Sequence, residues 1–546
     1  MLLNNVKVLR PKTTKIQKRN GIGYVYQVIG KSYKKDKKYT VENRKLIGKM
    51  IDEEWMVPNE YFEQYYPDVC VEQETPEFSD TLRIGCFLVV QKLFRDLQIE
   101  DVLSSIFGNL GLFIEDIVSY MIANESCTFQ YYSNFMRNHP VMDKIIRDDT
   151  QISRLLKYNI KEENINLFLR AWNQMNNTKE CIYVGYDSTN FNTNAYGIEL
   201  ADYGHPKVDE GLPQYNLAYA VNQKDSTPLF YELYDGSVID NTELEIMLEE
   251  AKEFGHERLG VLMDRGYISE KNIKALRSKG YEYILMMKQN QKICQEIIEE
   301  YGAAVQSLEG YYIGEHGVYG TTVKKQLYGQ ETNIHVYYDD IRASEEKVAL
   351  MSRYETWEKE IEKKVEKKLA TEGEMKKYRK VFKLKYDQNG YLVAYQRNSR
   401  YIKEEIRNLG FFFIITSEDM SASKALDIYR GRDNIEKMFR SLKSGIDFNK
   451  ARVHTTESLK SKVFVTFIAM IIRNELFQKA EVLRKKNRKA YTVPGMISEL
   501  ENIECTRNSV GKYRRKYALT AKQKLILKQF DMDEKYIDRS IGEFSY

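Results

Sequence analysis

The hydrophobic period of this chain changes at about Asn177, and that change constrains the fold more than any other feature. From Thr81 to about Asn177, apolar residues recur at helical spacing in "LRIGCFLVVQKLFRDL", "IEDIVSYMIA", "ISRLLKYN" and "NINLFLRAW". Beyond it, "CIYVGYDSTNF", "QYNLAYAVN" and "TPLFYELYDG" read as three successive strands. "NTELEIMLEEAKEFG" then reads as a helix, "LGVLMD" as a buried strand, "SEKNIKALRSKG" as a helix and "YEYILMMK" as a strand. The order β-β-β-α-β-α-β predicts a mixed sheet with helices on its faces.

At 546 residues the chain is too long for one ordinary domain, and six stretches separate around this centre. Residues 1–75 predict short strands with Lys-rich turns, and 80–177 a helical domain. Residues 178–290 hold the first part of the α/β core. Residues 291–410 predict a β-rich insertion around one highly charged helical run. In that run Trp357, Ile361, Val365 and Leu369 recur every four residues, a pattern that fits a solvated helix packing one thin stripe better than a coiled-coil seam. Residues 411–480 supply the strand "FFFIIT", a helix from about Ser421 to Gly445 and the buried helix "SKVFVTFIAMIIRNELF". Residues 481–546 predict a basic, helical C-terminal tail.

The formal net charge of +4 hides a strong asymmetry. Residues 1–50 carry +12 and residues 451–546 carry +9, which leaves −17 for the middle. Basic ends around an acidic centre fit a polyanion held at the periphery, and fit equally a pair of solvated Lys-rich tails. The six cysteines are scattered without a C-x-x-C pair, and the six histidines show no metal-ligand spacing, which argues against zinc and against a disulfide framework. "MLLNNVKVLRPK" has too short an apolar run for a secretory signal, and the run from Val463 to Ile472 stops at Arg473, too short to span a bilayer. A soluble protein of a reducing compartment, with no membrane partner, is expected.

Three carboxylates stand where strands end or apolar faces begin. Asp187 lies in the first strand of the α/β region, and Asp264 follows the buried strand "GVLM". Glu436 lies on the helix from Ser421 to Gly445, for which Ser421 and Ser423 are candidate N-caps and Gly445 a candidate stop. At about 100° per residue, Ile428, Ile435, Met438, Phe439, Leu442 and Ile446 form one apolar stripe there, with Tyr429, Arg432, Glu436 and Lys443 along its edge. A carboxylate beside a core is costly unless something positive satisfies it. Carboxylates alone suit a hard cation, Mg²⁺ or Mn²⁺, and two such ions can assist phosphodiester cleavage. Each residue also has a plainer reading. Asp264 can be a turn former, and Glu436 an intrahelical partner of Arg432 or Arg440. The rival acidic pair Asp339-Asp340 reads as a turn.

The spacing Y-x2-R-x3-E-x6-K at Tyr429, Arg432, Glu436 and Lys443 resembles the signature of bacterial insertion-sequence DDE transposases, in the branch with a β-rich insertion in a ribonuclease-H-like core. In that family the first Asp lies on the first strand, the second follows the fourth strand, and the Glu lies on a helix after the insertion. "TPLFYELYDGS", "MDRGYIS" and "IEKMFRSLKS" are similar too, and the resemblance covers roughly residues 80–475. The chain departs from it at Asp433, where many relatives carry Trp or another large apolar residue, and at "GSVIDN" after the third strand.

The resemblance implies that Asp187, Asp264 and Glu436 are catalytic and hold the metal, two ions per site. It implies that Tyr429, Arg432 and Lys443 contact the backbone of double-stranded transposon-end DNA, Tyr429 stacking on a terminal base. The expected activity is binding of terminal inverted repeats, metal-dependent cleavage and strand transfer to target DNA, by a homodimer in a paired-end complex. The expected location is the bacterial cytoplasm, at the nucleoid. Two alternatives stay open: a stand-alone metal nuclease of the same fold, and a non-catalytic DNA-binding repressor derived from a transposase.

Overall fold

The computed structural model describes all residues except 1–5, 20, 35–38, 67–68, 70–71, 74–78, 178–180, 205–210, 239, 257–258, 264–267, 308, 368–372, 488–490, 508–511 and 545–546. At its centre is a nine-stranded mixed sheet: β1 (Ile182–Asn192), β2 (Gln214–Asn222), β3 (Pro228–Asp235), β4 (Leu259–Met263), β5 (Glu282–Met286), β6 (Tyr312–Ile313), β7 (Val318–Leu327), β8 (Gln330–Tyr338) and β9 (Phe411–Thr416). The spatial order is β3-β2-β1-β4-β5-β9-β8-β7-β6. β1, β2 and β3 form an antiparallel meander, β4 runs parallel to β1, and β5 parallel to β4. Helices Asp240–Glu253 and Glu270–Ser278 make the connections, so the β-β-β-α-β-α-β order of the sequence is the order of the fold.

Both faces of this sheet are covered, which is why β2 is buried along nearly its whole length. On one face Tyr219 and Tyr231 meet Phe467, at 6.0 and 5.1 Å between ring centroids. Phe467 belongs to the long helix Thr456–Asn487. Phe230, the next residue along β3, points to the other face and meets Phe254 at 5.4 Å, at the end of helix Asp240–Glu253. The helices between Gly85 and Asn176 join the same continuous core, as do those between Val493 and Gly542.

The stretch 291–410 does not pack as one body. β8 pairs antiparallel with β9 from Asn333↔Thr416 to Tyr338↔Phe411, and β7 and β6 follow, so its first part extends the central sheet. The run Asn333–Tyr337 is buried on both faces, as only an interior strand can be. A separate small core forms further on, where Tyr354, Ile361, Tyr378, Phe382 and Leu392 pack together. Of the stripe every four residues, Ile361 is in this core with Trp357 and Val365 against it, whereas Leu369 lies outside the described residues.

The C-terminal tail is not wholly helical. Strands Glu504–Arg507 and Tyr513–Arg515 form a hairpin that pairs with Thr81–Arg83 and ties the tail to the start of the helical region. The N-terminal stretch is strand-rich, as the sequence predicts. Its strands Val6–Leu9, Lys15–Arg19, Ile22–Lys34, Tyr39–Met50 and Trp55–Pro58 close over a core of Val8, Val25, Ile47, Met56 and Phe62. Among the described residues no helix is long and apolar enough to cross a membrane.

Candidate active site

The helix expected from Ser421 to Gly445 is broken. Ser421 does cap its start, Oγ accepting from the Lys424 N–H at 3.2 Å, and Gly445 does end it. Between them lie α1 (Ala422–Arg430), α2 (Asp433–Arg440) and a π-helical turn, Ser441–Gly445. At the break, the Arg432 N–H donates to Tyr429 O and the Ile435 N–H to Arg432 O, both at 3.0 Å, tight i→i+3 bonds in place of helical ones. A long-range contact meets the local weakness of Gly431 at this break. The Gln223 side chain, from the turn after β2, lies so close to Gly431 that a Cβ there would sit 1.2 Å from its Nε2. Asn434 adds a bond from Nδ2 to Gln223 O at 3.2 Å.

The break divides the apolar stripe. Leu426 and Tyr429 pack with Leu262, Ile284, Tyr337 and Ile414, while Ile435, Met438, Phe439, Leu442 and Ile446 join the main core. Tyr429 is 6% exposed, so its ring lies inside rather than along an open edge. Asp433, one departure from the family pattern, is the first residue of α2, where an acidic side chain faces the positive end of the helix dipole.

Side chains alternate along β1, so Gly185, Asp187, Thr189 and Phe191 share one face. α2 and the π turn run along that face. A Cβ on Gly185 would meet Ile435 Cβ at 3.8 Å, ordinary van der Waals contact, so α2 packs directly on this face. Phe439 meets Tyr219 edge-on at 5.8 Å, and Tyr219 is the cross-strand partner of Asp187. Further along, Lys443 Nζ donates to Thr189 Oγ1 at 2.7 Å and stands 5.3 Å from the Phe191 ring centroid. Asp187 therefore lies on a strip bracketed by Ile435, Phe439 and Lys443, on the face that α2 covers. Its Oδ1 accepts from the Ser188 N–H at 2.9 Å.

Glu436 follows Ile435 and stands one turn before Phe439. Its side chain is 54% exposed, and Oε1 accepts from Arg432 Nη2 at 2.9 Å. Arg432 Nη1 also donates to Tyr429 Oη at 3.3 Å, so the guanidinium spans the helix break from a buried phenol to a half-exposed carboxylate. The intrahelical Arg432–Glu436 pair read from the sequence is thus present. Asp264 lies outside the described residues. β4, which it follows in sequence, pairs Leu262 with Gly185 and so ends level with the residues just before Asp187.

Other side chains shape this region without any sequence motif to mark them. Arg473, buried in helix Thr456–Asn487, donates from Nε to Ser441 Oγ at 2.9 Å and from Nη2 to Glu125 Oε1 at 2.6 Å. Its guanidinium fills the space beside Gly445, where a Cβ would lie 2.5 Å from Nε. The one sequence signal was an arginine ending an apolar run. Lys450, Arg452 and His454 line a groove with Asn192 and Asn194, where β1 ends.

The donor set suits a hard cation, because Asp187 and Glu436 both offer carboxylate oxygens and Glu436 is open to water. Among the described residues no group of three or more His, Cys, Asp or Glu is gathered so as to hold a metal ion.

A family model described as the transposase DDE domain matches residues 184–472, more than half of the chain. The match begins inside β1 and ends one residue before Arg473. Among solved structures, a cryo-EM piggyBac transposase synaptic complex with hairpin DNA is similar at 8% identity, over 80% of this chain and 75% of that one, with a TM-score of 0.34. So loose a likeness carries no argument. A comparison with curated proteins finds no match.

Proposed function

This chain belongs to the transposase family defined by the DDE domain, and from that premise we propose that it is an insertion-sequence transposase that cuts its terminal inverted repeats and joins the freed 3′ ends to target DNA. Transposition and DNA recombination follow from the family. The branch, the ribonuclease-H-like core with its insertion, the DNA contacts and the chemistry are our reading. The observation that carries it is the strip on β1, where α2 and the π turn lie over Asp187 between Ile435 and Lys443. It supports a site shared by Asp187 and Glu436, completed by Asp264.

In this reading Asp187, Asp264 and Glu436 hold Mg²⁺ or Mn²⁺, two ions, which when bound supply charge to the attacking and the leaving oxygen. The protein's own groups do the rest. Arg432 and Lys443 flank the carboxylates and hold the phosphates on either side of the scissile bond. Tyr429, whose hydroxyl accepts from the Arg432 guanidinium, orients it towards that contact. Lys450, Arg452 and His454 continue the basic track past the end of β1. The DNA is double-stranded, and the two ends are handled by at least a homodimer in a paired complex.

The test is cleavage of duplexes drawn from the DNA that flanks the coding sequence. Asp187→Asn, Asp264→Asn and Glu436→Gln each remove a ligand charge and little volume. Each is expected to abolish Mg²⁺-dependent cutting while binding stays within a few-fold of wild type. Near-normal cutting by any one of them would remove that residue from the site.

A further inference from the structure

The two longest strands of the N-terminal sheet outrun its core. Ile22–Lys34 and Tyr39–Met50 pair continuously from Tyr24↔Lys49 to Lys34↔Tyr39. The buried residues of this sheet stop at Val25 and Ile47. Beyond Val28↔Arg44 none of the described residues of the ribbon is buried. Tyr33 is 61% and Tyr39 50% exposed, and Ile29 is exposed as well. A two-stranded ribbon with both faces in water is marginal by itself, and large apolar and aromatic side chains in such a place mark a contact surface.

Its chemistry selects the partner. "KSYKKDKKY", residues 31–39, carries five lysines against one aspartate. The one carboxylate among the described residues of the distal half, Glu42, is held by Lys15 at 2.7 Å and Arg44 at 2.9 Å. Cross-strand partners share a face, so Lys31, Tyr33, Thr40, Glu42 and Arg44 form one side of the ribbon, and Ser32, Tyr39, Val41 and Asn43 the other. Lysines meet phosphates, and asparagine, threonine and tyrosine meet base edges and thymine methyls. A two-stranded ribbon fits the width of the DNA major groove, about 12 Å. Bulges at Val25/Tyr26 and Val28/Gly30 add the right-handed twist needed to follow that groove.

We infer that this ribbon lays the side bearing Lys31, Tyr33, Thr40 and Arg44 into the major groove of duplex DNA, reading it with Tyr33 and Thr40 while Lys31 and Arg44 grip the backbone. The inference rests on the transposase reading and adds to it the element that reads sequence. Self-association through the same faces is the rival occupant, and the net positive charge on both strands of the ribbon opposes it.

The test uses the full chain and the variant Lys31→Ala/Tyr33→Ala/Thr40→Ala, all exposed positions on one side of the ribbon whose loss leaves the sheet core intact. The probes are a flanking duplex and a random duplex of equal length, with dimethyl sulfate reporting guanine N7 in the major groove and adenine N3 in the minor groove. Wild type is expected to protect N7 positions on the flanking duplex. The variant is expected to lose that protection and to bind it about tenfold more weakly, with a smaller loss on random DNA. Unchanged N7 protection, protection at adenine N3 alone, equal loss on both duplexes, or a dimer that falls apart with DNA affinity intact would each overturn the inference. Cutting by wild type, scored on the same flanking duplex, tests the transposase reading separately, since wild-type cutting with an inert ribbon would leave that reading standing.

Discussion

Replacing Arg473 with methionine should damage the active site from behind. The guanidinium is 4% exposed and ties two elements together, Ser441 in the π turn and Glu125 at the end of helix Asn109–Asn124. Removing one partner of a buried pair usually costs about 3–5 kcal/mol, because the other charge is left behind. Glu125 is 29% exposed and can turn to water, so about 2–3 kcal/mol is the reasonable expectation here. The further effect is geometric. π turns are rare and sit inside α-helices as single-turn bulges, and this one has the Arg473 side chain packed against Gly445 and bonded to Ser441. Without it the turn can close to α, and Lys443 then rotates away from Thr189. Urea denaturation measures the first effect. The second is read from the acetylation rate of Lys443 by mass spectrometry and from cleavage rates at saturating DNA. Arg473→Met should expose Lys443 and lower the maximal rate, and adding Lys443→Ala should produce little further loss. A variant that is less stable yet keeps wild-type Lys443 reactivity and maximal cleavage would refute the argument.

Gly445→Ala should reproduce the Arg473→Met phenotype, since its Cβ must displace the guanidinium; a stability change below about 0.5 kcal/mol would contradict this. Arg432→Ala and Lys443→Ala should each weaken binding to flanking DNA and flatten its salt dependence by about one phosphate contact, and an unchanged slope in both would make them structural partners only. Removing residues 1–75 should lower DNA affinity while a folded core remains, as seen by circular dichroism and urea titration; undiminished binding would remove the N-terminal sheet from the DNA path. Burial pushes His256 and His335 down to about 4 from an ordinary 6.5. The unfolded chain therefore binds more protons between those values, and stability should fall with pH from about 6.5 to about 4, by about 3 kcal/mol for each histidine. Urea midpoints across that range should flatten in His256→Gln and His335→Gln, and parallel curves for wild type and variants would show that other groups control the acid limb.

What the sequence disclosed was whatever local spacing encodes. The three meander strands, the two β-α-β steps, the Ser421 cap and the stop at Gly445 all follow from residues within a few positions of one another. The features it hid are made by residues far apart. Gly431 is a local sign of weakness in the helix, but nothing near it announces that Gln223 will pack against it. The π turn packs against Arg473, some thirty residues further on. β8 looked like part of an insertion because its partner β9 comes more than seventy residues later. Strands Glu504–Arg507 and Tyr513–Arg515 are too short for alternation to show. Of the proposed site, Asp187 and Glu436 are legible as candidates in the sequence, whereas Thr189, Gln223, Arg473 and Glu125 are not.

The position of β9 also sets the order of events during synthesis. It lies between β5 and β8 in the sheet yet leaves the ribosome after both. Until Thr416 has emerged, neither β5 nor β8 can pair with β9, and the edges that will receive it stay unpaired. At ordinary elongation rates, the stretch from Tyr338 to Phe411 occupies roughly 4–15 s. The helix Asp340–Lys367 and the small core around Tyr354 and Phe382 are made in that interval.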